Sequence, residues 1–569
     1  MQTESHFIPS NVRTDKFEEN RLTCDLINVT YYRNKRMKKN YLLKPALIIF
    51  ITLILSGAAF AMDNITLANV LNEDNYTVPS WTLLRRAVKK ATTLNDTISM
   101  VALQKALDGL KSKEMPYSIV SSLNGDPTSR LGFAWFTNAN ITGGKVEFIR
   151  GLATASDAFD SPFLSIEATC ANVPGLNYCN KSNGLLDLAD IPDNTKKSYI
   201  QHKAIATGLT PNTTYSYRVG KPDAWSETGT FTTAKSNKDQ FSFIYTTDPQ
   251  ANTDAMFDIS QKTTHAANRM YPDANFWLSC GDLIESSGST NSEWEYEQFI
   301  GTQQDIFLHK PFAPVMGNHD YSINRNFTHH FNTAVNSFDC ENSTVPGSIY
   351  SFVYGDALFM GFSFEDYNIP GTLDSIENWM RKQVASHPDT KWRIAFYHKV
   401  LYTGSVSHQS DKDGRIVREK FGTVFDDLKI DLALQGHDHM YEVIGPIKNK
   451  TLVEGEVTDR KVAAFDARAN LNAKSGGVYN VTSGTLYFLN NSAGKKKYEP
   501  RSQEDMSSEN VIRDTGIPDY FSLFTGHFGQ DGNPMFSNIT VSTDSILVKT
   551  YEVNTSGTAE PFDEFKIVK

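Results

Sequence analysis

Cysteine is scarce in this chain: five residues in 569. Four of them follow Ala61, namely Cys170, Cys179, Cys280 and Cys340. Cys170 and Cys179 are near enough in sequence to form a disulfide in an oxidising compartment. Cys280, beside a Gly-Asp turn, is interpreted as a buried core residue.

The chain also lacks net positive charge, long repeats and low-complexity tracts. Its formal net charge is −10, which makes it a poor candidate for binding polyanions such as nucleic acids. Small phosphate esters remain compatible with this charge, because metal ions would supply local positive charge. The short basic string Lys495-Lys496-Lys497 is interpreted as a solvated loop. A length of 569 residues with 40% apolar residues predicts several domains with substantial cores.

One apolar segment, Tyr41–Ala61, follows a basic stretch and ends in small residues. This is the pattern of a secretory signal peptide. Met37 resembles a natural start, so residues 1–36 are interpreted as a mis-called extension and residues 37–61 as the signal peptide. An uncleaved signal anchor is the alternative, because about 18–20 apolar residues can span a bilayer. Either way the sequence predicts a secreted, periplasmic or cell-surface protein.

Four turns and one isolated histidine carry side chains suited to metal binding. Asp248 and Asp282 lie in acidic turns, and His398 follows an apolar run. The other two turns are the strings Gly317-Asn318-His319-Asp320 and Gly436-His437-Asp438-His439. Carboxylate, amide and imidazole groups suit two hard-to-borderline divalent or trivalent metals, and this set excludes a thiolate site.

Short apolar stretches of strand length precede most of these turns: 241–245, 274–278, 312–316 and 430–434. Amphipathic helices are predicted between them, for example over 291–300 and 374–386. Alternating strands and helices indicate an α/β layered domain. The candidate ligands are therefore expected at the carboxyl ends of the strands, where such sheets place their sites.

In this order the five blocks resemble the calcineurin-like metallophosphoesterases, and within them the purple acid phosphatase-like branch. The resemblance covers residues 239–569 and implies an αββα sandwich with a dinuclear metal centre. It implies that one metal is held by Asp248, Asp282 and His439. The second metal would be held by Asp282, Asn318, His398 and His437, with Asp282 bridging the two.

The resemblance also implies roles for residues beside the metals. His319 would help to bind phosphate or protonate the leaving oxygen, and Asp320 would orient it. His408 would be a second histidine on the substrate side. Two metals about 3.5–4 Å apart can hold the phosphoryl oxygens and a bridging hydroxide, and they lower the pKa of water toward about 7.

Two positions depart from the purple acid phosphatase pattern. Glu285 stands three residues after Asp282, where that family has the tyrosine whose phenolate colours the iron, so no tyrosinate ligand is expected. Gln250 stands where many other metallophosphoesterases have a histidine ligand, and its amide oxygen can either complete the first metal's shell or face substrate. Metal identity stays open among Fe, Mn and Zn.

Two modules are predicted before the catalytic domain. Residues 62–115 show helical periodicity and resemble the FIVAR-type module of extracellular proteins; a plain helical spacer is the alternative. Residues 116–235 resemble the all-β, fibronectin type III-like amino-terminal domain of purple acid phosphatase-like enzymes. The chain from Met535 is expected to add strands to the catalytic sheet.

The sequence therefore predicts an exported dinuclear metal-dependent phosphoesterase. An acid-phosphatase-like phosphomonoesterase, using a metal-bound hydroxide on a small phosphate ester, is the leading hypothesis. One alternative is a phosphodiesterase or nucleotidase, because substrate choice depends on loops such as 324–348 and 402–415. Another is a cell-surface binding protein with an inert phosphoesterase fold. Membrane association is expected only if the signal segment is uncleaved.

Overall fold

The computed structural model describes residues 64–94, 96–153, 156–178, 195–287, 292–322, 325–333, 348–453, 457–458, 477–530 and 532–569. The predicted signal segment, Cys179, Cys340 and most of the loop 324–348 lie outside these residues. None of the described helices has the length and apolar character that crossing a membrane requires.

The described chain starts with three helices that pack around a small core of their own. The core includes Trp81, Leu84, Val88 and Leu103. The side chain of Asp96 accepts a hydrogen bond from the Ser99 N–H and so caps the third helix. These helices are α1 (Asn64–Val70), α2 (Val78–Leu94) and α3 (Thr97–Asp108).

An all-β region follows, as the sequence predicts. Its strands form two layers, and the aromatic rings of Phe133 and Phe148 meet between them at 5.5 Å. Tyr217 and Phe231 complete this core. The strands are β1 (Tyr117–Ser122), β2 (Leu131–Asn138), β3 (Lys145–Arg150), β4 (Leu164–Glu167), β5 (Thr169–Asn177), β6 (Lys196–Ala206), β7 (Thr214–Lys221), β8 (Ala224–Trp225) and β9 (Gly229–Thr232).

The remaining chain alternates strands and helices before ending in an antiparallel meander. The strands are β10 (Phe241–Thr246), β11 (Phe276–Ser279), β12 (Phe312–Pro314), β13 (Tyr350–Tyr354), β14 (Ala357–Gly361), β15 (Trp392–Phe396), β16 (Leu432–Gln435), β17 (Tyr441–Lys448), β18 (Thr451–Leu452), β19 (Val457–Thr458), β20 (Val478–Asn480), β21 (Thr485–Leu489), β22 (Phe524–Gly529), β23 (Met535–Val541), β24 (Ser545–Val553) and β25 (Ala559–Val568). The helices are α4 (Asp254–Met270), α5 (Glu293–Gly301), α6 (Gln304–Phe307), α7 (Asn326–His330), α8 (Thr372–Ser386), α9 (Lys412–Leu428), α10 (Gln503–Met506) and α11 (Glu509–Thr515).

Two sheets pack face to face in the catalytic region, and helices cover their outer faces. Phe243 and Phe276 of one sheet meet Phe359 of the other at 5.4 and 5.6 Å. Helices α8 and α9 cover the sheet that contains β14 and β15, where Phe421 packs on Phe364. Helix α4 lies on the other sheet beside β23. The predicted αββα sandwich is therefore confirmed.

The all-β region shares a sheet with the catalytic region. Strand β1 pairs with β12 in parallel, with Ser122 opposite Phe312. In the described part of the chain this pairing produces a sheet with the strand order β19-β20-β25-β24-β23-β10-β11-β12-β1-β2-β6-β5. The short strand β12 would otherwise expose an unpaired edge, and pairing with β1 covers it.

The parallel strands set the position of the candidate site. Strands β10, β11 and β12 run parallel in one sheet, and β14, β15, β16 and β21 run parallel in the other. The predicted ligand turns follow the carboxyl ends of β10, β11, β12, β15 and β16, so they gather at one end of the sandwich. Strand β23 pairs with β10, which confirms that the chain from Met535 completes the catalytic sheet.

Candidate metal centre

Three of the predicted site residues occupy the left-handed backbone region directly after strands. Asp248, Asp282 and His437 have φ values of 53°, 51° and 75°. Non-glycine residues adopt this region uncommonly, and it is enriched at functional sites because the surrounding structure must hold the strain. The three turns are thus shaped to direct these side chains into one space.

Glycine is required in the two Gly-led motifs because other groups approach their Cα atoms closely. A Cβ atom on Gly317 would lie 2.2 Å from Asp282 Oδ1. On Gly436 it would lie 2.4 Å from Thr247 Oγ1 and 2.9 Å from His398 Nδ1. Any side chain at these positions would displace the candidate ligands themselves.

One group of candidate ligands converges on His398 Nε2. Asn318 Oδ1 lies 3.0 Å from this nitrogen, His437 Nδ1 lies 3.1 Å from it and Asp282 Oδ2 lies 3.2 Å from it. The other ring nitrogen, His398 Nδ1, is 2.8 Å from the Cys280 carbonyl oxygen and donates to it, which fixes the ring orientation. His398, Asp282 and His437 are all buried.

A second group of candidate ligands surrounds Asp248. His439 Nε2 lies 3.2 Å from Asp248 Oδ1, and the His437 N–H donates to the same carboxylate. Gln250 Nε2 donates to Asp282 Oδ2 at 2.9 Å, so Gln250 lies between the two groups. Among the described residues, the buried Gln250 Oε1 has no hydrogen-bond partner.

The charges of these groups are strongly coupled. Burial alone would raise the pKa of Asp282, yet the rings of His398 and His319 hold it below its ordinary value. Burial would lower the pKa of His398, but the Asp282 carboxylate outweighs burial and raises it to about 10. Buried carboxylates that face imidazoles in this way stay ionised in the folded protein and can interact with a positive charge.

This donor set fits two metal ions. Asp282, His398 and His437 each offer a ligand atom within 4.8 Å of the others. Imidazole nitrogens facing each other at 3.1 Å, with carboxylate and amide oxygens beside them, form a mixed nitrogen and oxygen set that suits Fe, Mn or Zn. The structure gathers the predicted ligands in the same two groups as the sequence analysis, while their roles as ligands stay predictions.

His319 lies beside Asp282, on the same turn as Asn318. Its backbone N–H donates to Asp282 Oδ1 at 2.8 Å, and its ring Nδ1 donates to the Glu285 carbonyl. Asp320 accepts hydrogen bonds from the backbone N–H groups of Leu283 and Gly317 and from Tyr296 Oη. These bonds hold the two ligand turns together through Asp320, and its role in orienting the His319 ring stays a prediction.

The structure brings His408 to the site from a different loop. Its ring stacks on His437 with centroids 3.8 Å apart. His408 Nδ1 is 2.5 Å from Asp438 Oδ1, and Asp438 is fully buried. Asp438 stands inside the Gly-His-Asp-His motif, but sequence reasoning gave it no role. The pairing identifies Asp438 as the group that orients His408.

Sequence reasoning also missed two residues of the loop after β21. The Tyr498 ring stacks on His439 at 4.4 Å and lies edge-on to His408 at 5.2 Å. Lys496 Nζ forms an ion pair of 2.7 Å with Glu285, so this lysine is tied to the site, contrary to the solvated-loop interpretation. The sequence carried no signal that this lysine-rich loop would fold over the metal ligands.

Two family models match the chain. The model described as calcineurin-like phosphoesterase matches residues 241–441. The model described as purple acid phosphatase, N-terminal domain, matches residues 116–233. The second match covers the all-β region, and the first covers the candidate ligands from Asp248 to His439.

Curated relatives and a solved structure agree with these matches. The chain is 26% identical over 198 residues to serine/threonine-protein phosphatase CPPED1 of Rattus norvegicus, covering 32% of this chain and 58% of that protein. It is 24% identical over 286 residues to acid phosphatase type 7 of Danio rerio, covering 45% of this chain and 60% of that protein. The chain thus spans less than two thirds of the length of these relatives.

The structure of a purple acid phosphatase from yellow lupin (Lupinus luteus) seeds is similar to this fold. The TM-score is 0.58 with 16% sequence identity, over 80% of this chain and 74% of that chain. At this identity the likeness concerns the fold alone.

Proposed function

We propose that this protein hydrolyses phosphate monoesters in a metal-dependent reaction. The chain belongs to the calcineurin-like phosphoesterases and carries a purple acid phosphatase N-terminal domain. The observation that carries this proposal is the convergence of six side chains, five of them buried, at one end of the sandwich. Carboxylate, amide and imidazole donors from five separate turns meet there.

The ligand assignment follows the two groups of contacts. Asp248, His439 and Gln250 would hold one ion, and Asn318, His398 and His437 would hold the other, with Asp282 between them. When bound, two such ions polarise phosphoryl oxygens and lower the pKa of water near the substrate. The described residues supply the rigid frame, because the strained turns and the Gly317 and Gly436 contacts fix each donor.

His319 and His408 would act on the substrate. The backbone holds His319 through Asp282 and the Glu285 carbonyl, so its ring orientation does not depend on a flexible partner. We assign His319 to protonating the leaving-group oxygen, a role in which positioned acids contribute about 10²–10⁴-fold. His408, oriented by Asp438, would bind the phosphate group from the other side.

A small monoester is the proposed substrate. Two of the similar proteins carry phosphatase names, acid phosphatase type 7 and serine/threonine-protein phosphatase CPPED1, and phosphatases act on monoesters. The net charge of −10 argues against a polyanionic substrate. A phosphodiesterase or nucleotidase would use the same centre with a different cleft.

We further propose that the enzyme works outside the cytosol, as a secreted, periplasmic or cell-surface protein. The basic stretch, apolar run and small-residue exit before Met62 support this proposal. Detection of a mature protein that begins at Met62, by amino-terminal sequencing of protein made in its native host, tests it.

One experiment tests the catalytic proposal. Metal content is measured by elemental analysis, and hydrolysis of p-nitrophenyl phosphate is compared with that of bis(p-nitrophenyl) phosphate. We expect about two metals per chain and turnover of the monoester, with large losses in Asn318→Ala and His319→Ala. Only Asn318→Ala should also lose metal. Preference for the diester would favour the phosphodiesterase, and absence of metal and turnover after adding Mn, Fe or Zn would favour an inert binding protein.

A further inference from the structure

The loop between β21 and α10 crosses the candidate site and is fastened to it at several points. Ser492 Oγ donates to the carbonyl of Asp248 at 2.7 Å, and the Ala493 N–H donates to the carbonyl of Thr247 at 2.9 Å. The Tyr498 N–H donates to the carbonyl of His439 at 3.2 Å. Asp248 and His439, which accept the first and the last of these hydrogen bonds, are predicted ligands, so the loop forms part of the wall of the site.

The far end of this loop is joined to the loop that carries His408. The Val406 N–H donates to the carbonyl of Glu499 at 3.1 Å, and the Arg501 N–H donates to that of Gly404 at 2.8 Å. Lys496 and Glu285 add an ion pair whose side chains are 27% and 18% exposed. The segment that bears Tyr498 is therefore held on both sides and has a defined position over the site.

Four aromatic rings contact one another in series along this wall. His437 stacks on His408 at 3.8 Å, His408 meets the edge of Tyr498 at 5.2 Å, and Tyr498 stacks on His439 at 4.4 Å with planes 11° apart. Tyr498 thus separates a predicted ligand of one metal from the predicted substrate-side histidine. Its ring is packed, so its hydroxyl points in one direction.

The Tyr498 ring contacts both His439 and His408, so its hydroxyl lies beside the candidate site. Burial raises the pKa of this phenol, and the carboxylates of Asp248, Asp438, Asp282 and Glu285 raise it further, so the hydroxyl keeps its proton. Among the described residues this phenol makes no hydrogen bond, and the side chain is only half-buried. A hydrogen-bond donor that has no partner among the described residues is available to a ligand.

We propose that Tyr498 is a substrate-binding residue that donates a hydrogen bond to a phosphoryl oxygen, on the side of the site where His408 and His439 lie. This inference rests on the proposed phosphoesterase function. The phenol adds a donor without adding charge, so it recognises the phosphate group of any ester that reaches the metals. Because it would bind the phosphate group before and during the reaction, its hydroxyl contributes to affinity more than to the chemical step.

Tyr498→Phe tests this assignment, because it removes only the hydroxyl. We expect KM for p-nitrophenyl phosphate and the Kd for inorganic phosphate, measured by calorimetry, to rise about 10-fold or more, since hydrogen bonds to charged groups are among the stronger ones. kcat should change by less than about 3-fold, the pattern of lost uniform binding. Metal content should stay the same as in the unsubstituted protein.

A second variant and a control separate the hydroxyl from the ring. Tyr498→Leu also removes the surface that packs on His408 and His439, so it should lower kcat in addition. Tyr271→Phe removes a hydroxyl that pairs with Tyr551 Oη away from the site, and it should leave KM and the phosphate Kd unchanged.

Unchanged KM and phosphate Kd in Tyr498→Phe would overturn the assignment, and so would a loss confined to kcat. Failure of the proposed function would look different. In that case the unsubstituted protein itself would neither hydrolyse the ester nor bind phosphate.

Discussion

Two regions of the described chain bury carboxylates beside different partners. At the strand ends, Asp248 and Asp282 face imidazole rings and an amide. On helix α5, Glu293, Glu295 and Glu297 are equally buried. Their main partners are hydroxyl and N–H groups of the surrounding domains, so we call these three residues the helix cluster.

The helix cluster joins the modules of the protein. Glu297 Oε2 accepts a hydrogen bond from Tyr178 Oη at 2.8 Å, and Tyr178 Oη lies 2.6 Å from Thr82 Oγ1 of the first helical module. Glu293 accepts from Asn326 Nδ2 and pairs with His330 Nε2, both at 2.8 Å. Three parts of the chain therefore meet at this helix.

The pKa of Asp282 shifts in the opposite direction from the pKa values of Glu295 and Glu297. Burial and the neighbouring Glu293 raise the pKa of Glu297 to about 8, and burial raises that of Glu295 to about 8. At Asp282 the nearby imidazoles outweigh burial and lower the pKa. Burial of carboxylates is thus insufficient to make a metal site; converging nitrogen donors are what distinguish the strand ends.

The regions are also connected. Glu295 accepts hydrogen bonds from the backbone N–H groups of Glu285 and Ser286 at 2.8 and 2.9 Å. Tyr296 Oη donates to Asp320, which holds the turns of Asp282 and Asn318 together. The helix cluster therefore supports the turns that carry the candidate ligands, and we assign it no part in the chemistry of the site.

The largest effect in this comparison is expected from Asp282→Asn. The variant removes the carboxylate shared by both groups of ligands and keeps its size. We expect metal content to fall below two per chain and kcat/KM to fall by at least about 10³-fold, since several kcal/mol of charge stabilisation are lost and each 1.4 kcal/mol is a factor of ten. Elemental analysis and a monoester assay measure both.

Glu297→Gln is the matched control, because it replaces an equally buried carboxylate of the helix cluster. It should keep two metals and its turnover. If the two variants lost metal to the same extent, the distinction between the regions would be wrong.

The gathering of the candidate ligands could be predicted from sequence because most of them belong to short local patterns. Asp248, Asp282 and His437 follow apolar strands, and parallel strands bring their carboxyl ends together. Gly317 and Gly436 mark two of the turns in the sequence, and the structure adds that a Cβ atom at either position would collide with a neighbouring side chain. The alternation of strands and helices predicted an α/β layered domain, and the resemblance of the five motif blocks to the metallophosphoesterases implied the αββα sandwich.

Residues that reach the site from distant loops could not be predicted. Tyr498 and Lys496 belong to the site only through their contacts with His439 and Glu285, and both partners are distant from them in sequence. The continuous sheet was missed for the same reason, because the pairing of β1 with β12 depends on one short edge strand. Asp438 was visible inside a motif, yet its role required the position of His408.

The next prediction concerns Asp438, which we assign as a positioning residue for His408. Asp438→Asn keeps the size of the side chain but loses the charge that faces His408 Nδ1. We expect kcat/KM for p-nitrophenyl phosphate to fall about 10- to 100-fold, as is typical when a group that orients a functional histidine is changed. Metal content should remain at two.

A double substitution shows whether Asp438 acts through His408. If it does, adding His408→Ala to Asp438→Asn should cost far less than His408→Ala alone, because residues in one network are not additive. Asp431→Asn, at the opposite end of strand β16, replaces another buried aspartate and controls for a structural loss. Additive losses would refute the positioning role.

The smallest effect is expected at the helix cluster, in the stability of Glu297→Gln. The native state raises the pKa of Glu297 from about 4.3 in an unfolded chain to about 8, so the native state holds the proton more tightly. The contribution of Glu297 to the free energy of unfolding is therefore fully present below about pH 4 and is lost as pH rises to about 8. Charges that face it come from Glu293 and Lys197, and the phenols of Tyr178 and Tyr199 lie beside it.

Glutamine does not titrate, so the variant escapes this loss. The quantity to measure is the difference in Tm, Glu297→Gln minus the unsubstituted protein, in scans at saturating metal. We expect this difference to increase by roughly a few °C between pH 5 and pH 8.5. The exposed Glu504→Gln serves as the control and should show a constant difference. A constant difference for Glu297→Gln as well would mean that its carboxylate is ionised in the fold. The contrast with the strand ends would then disappear.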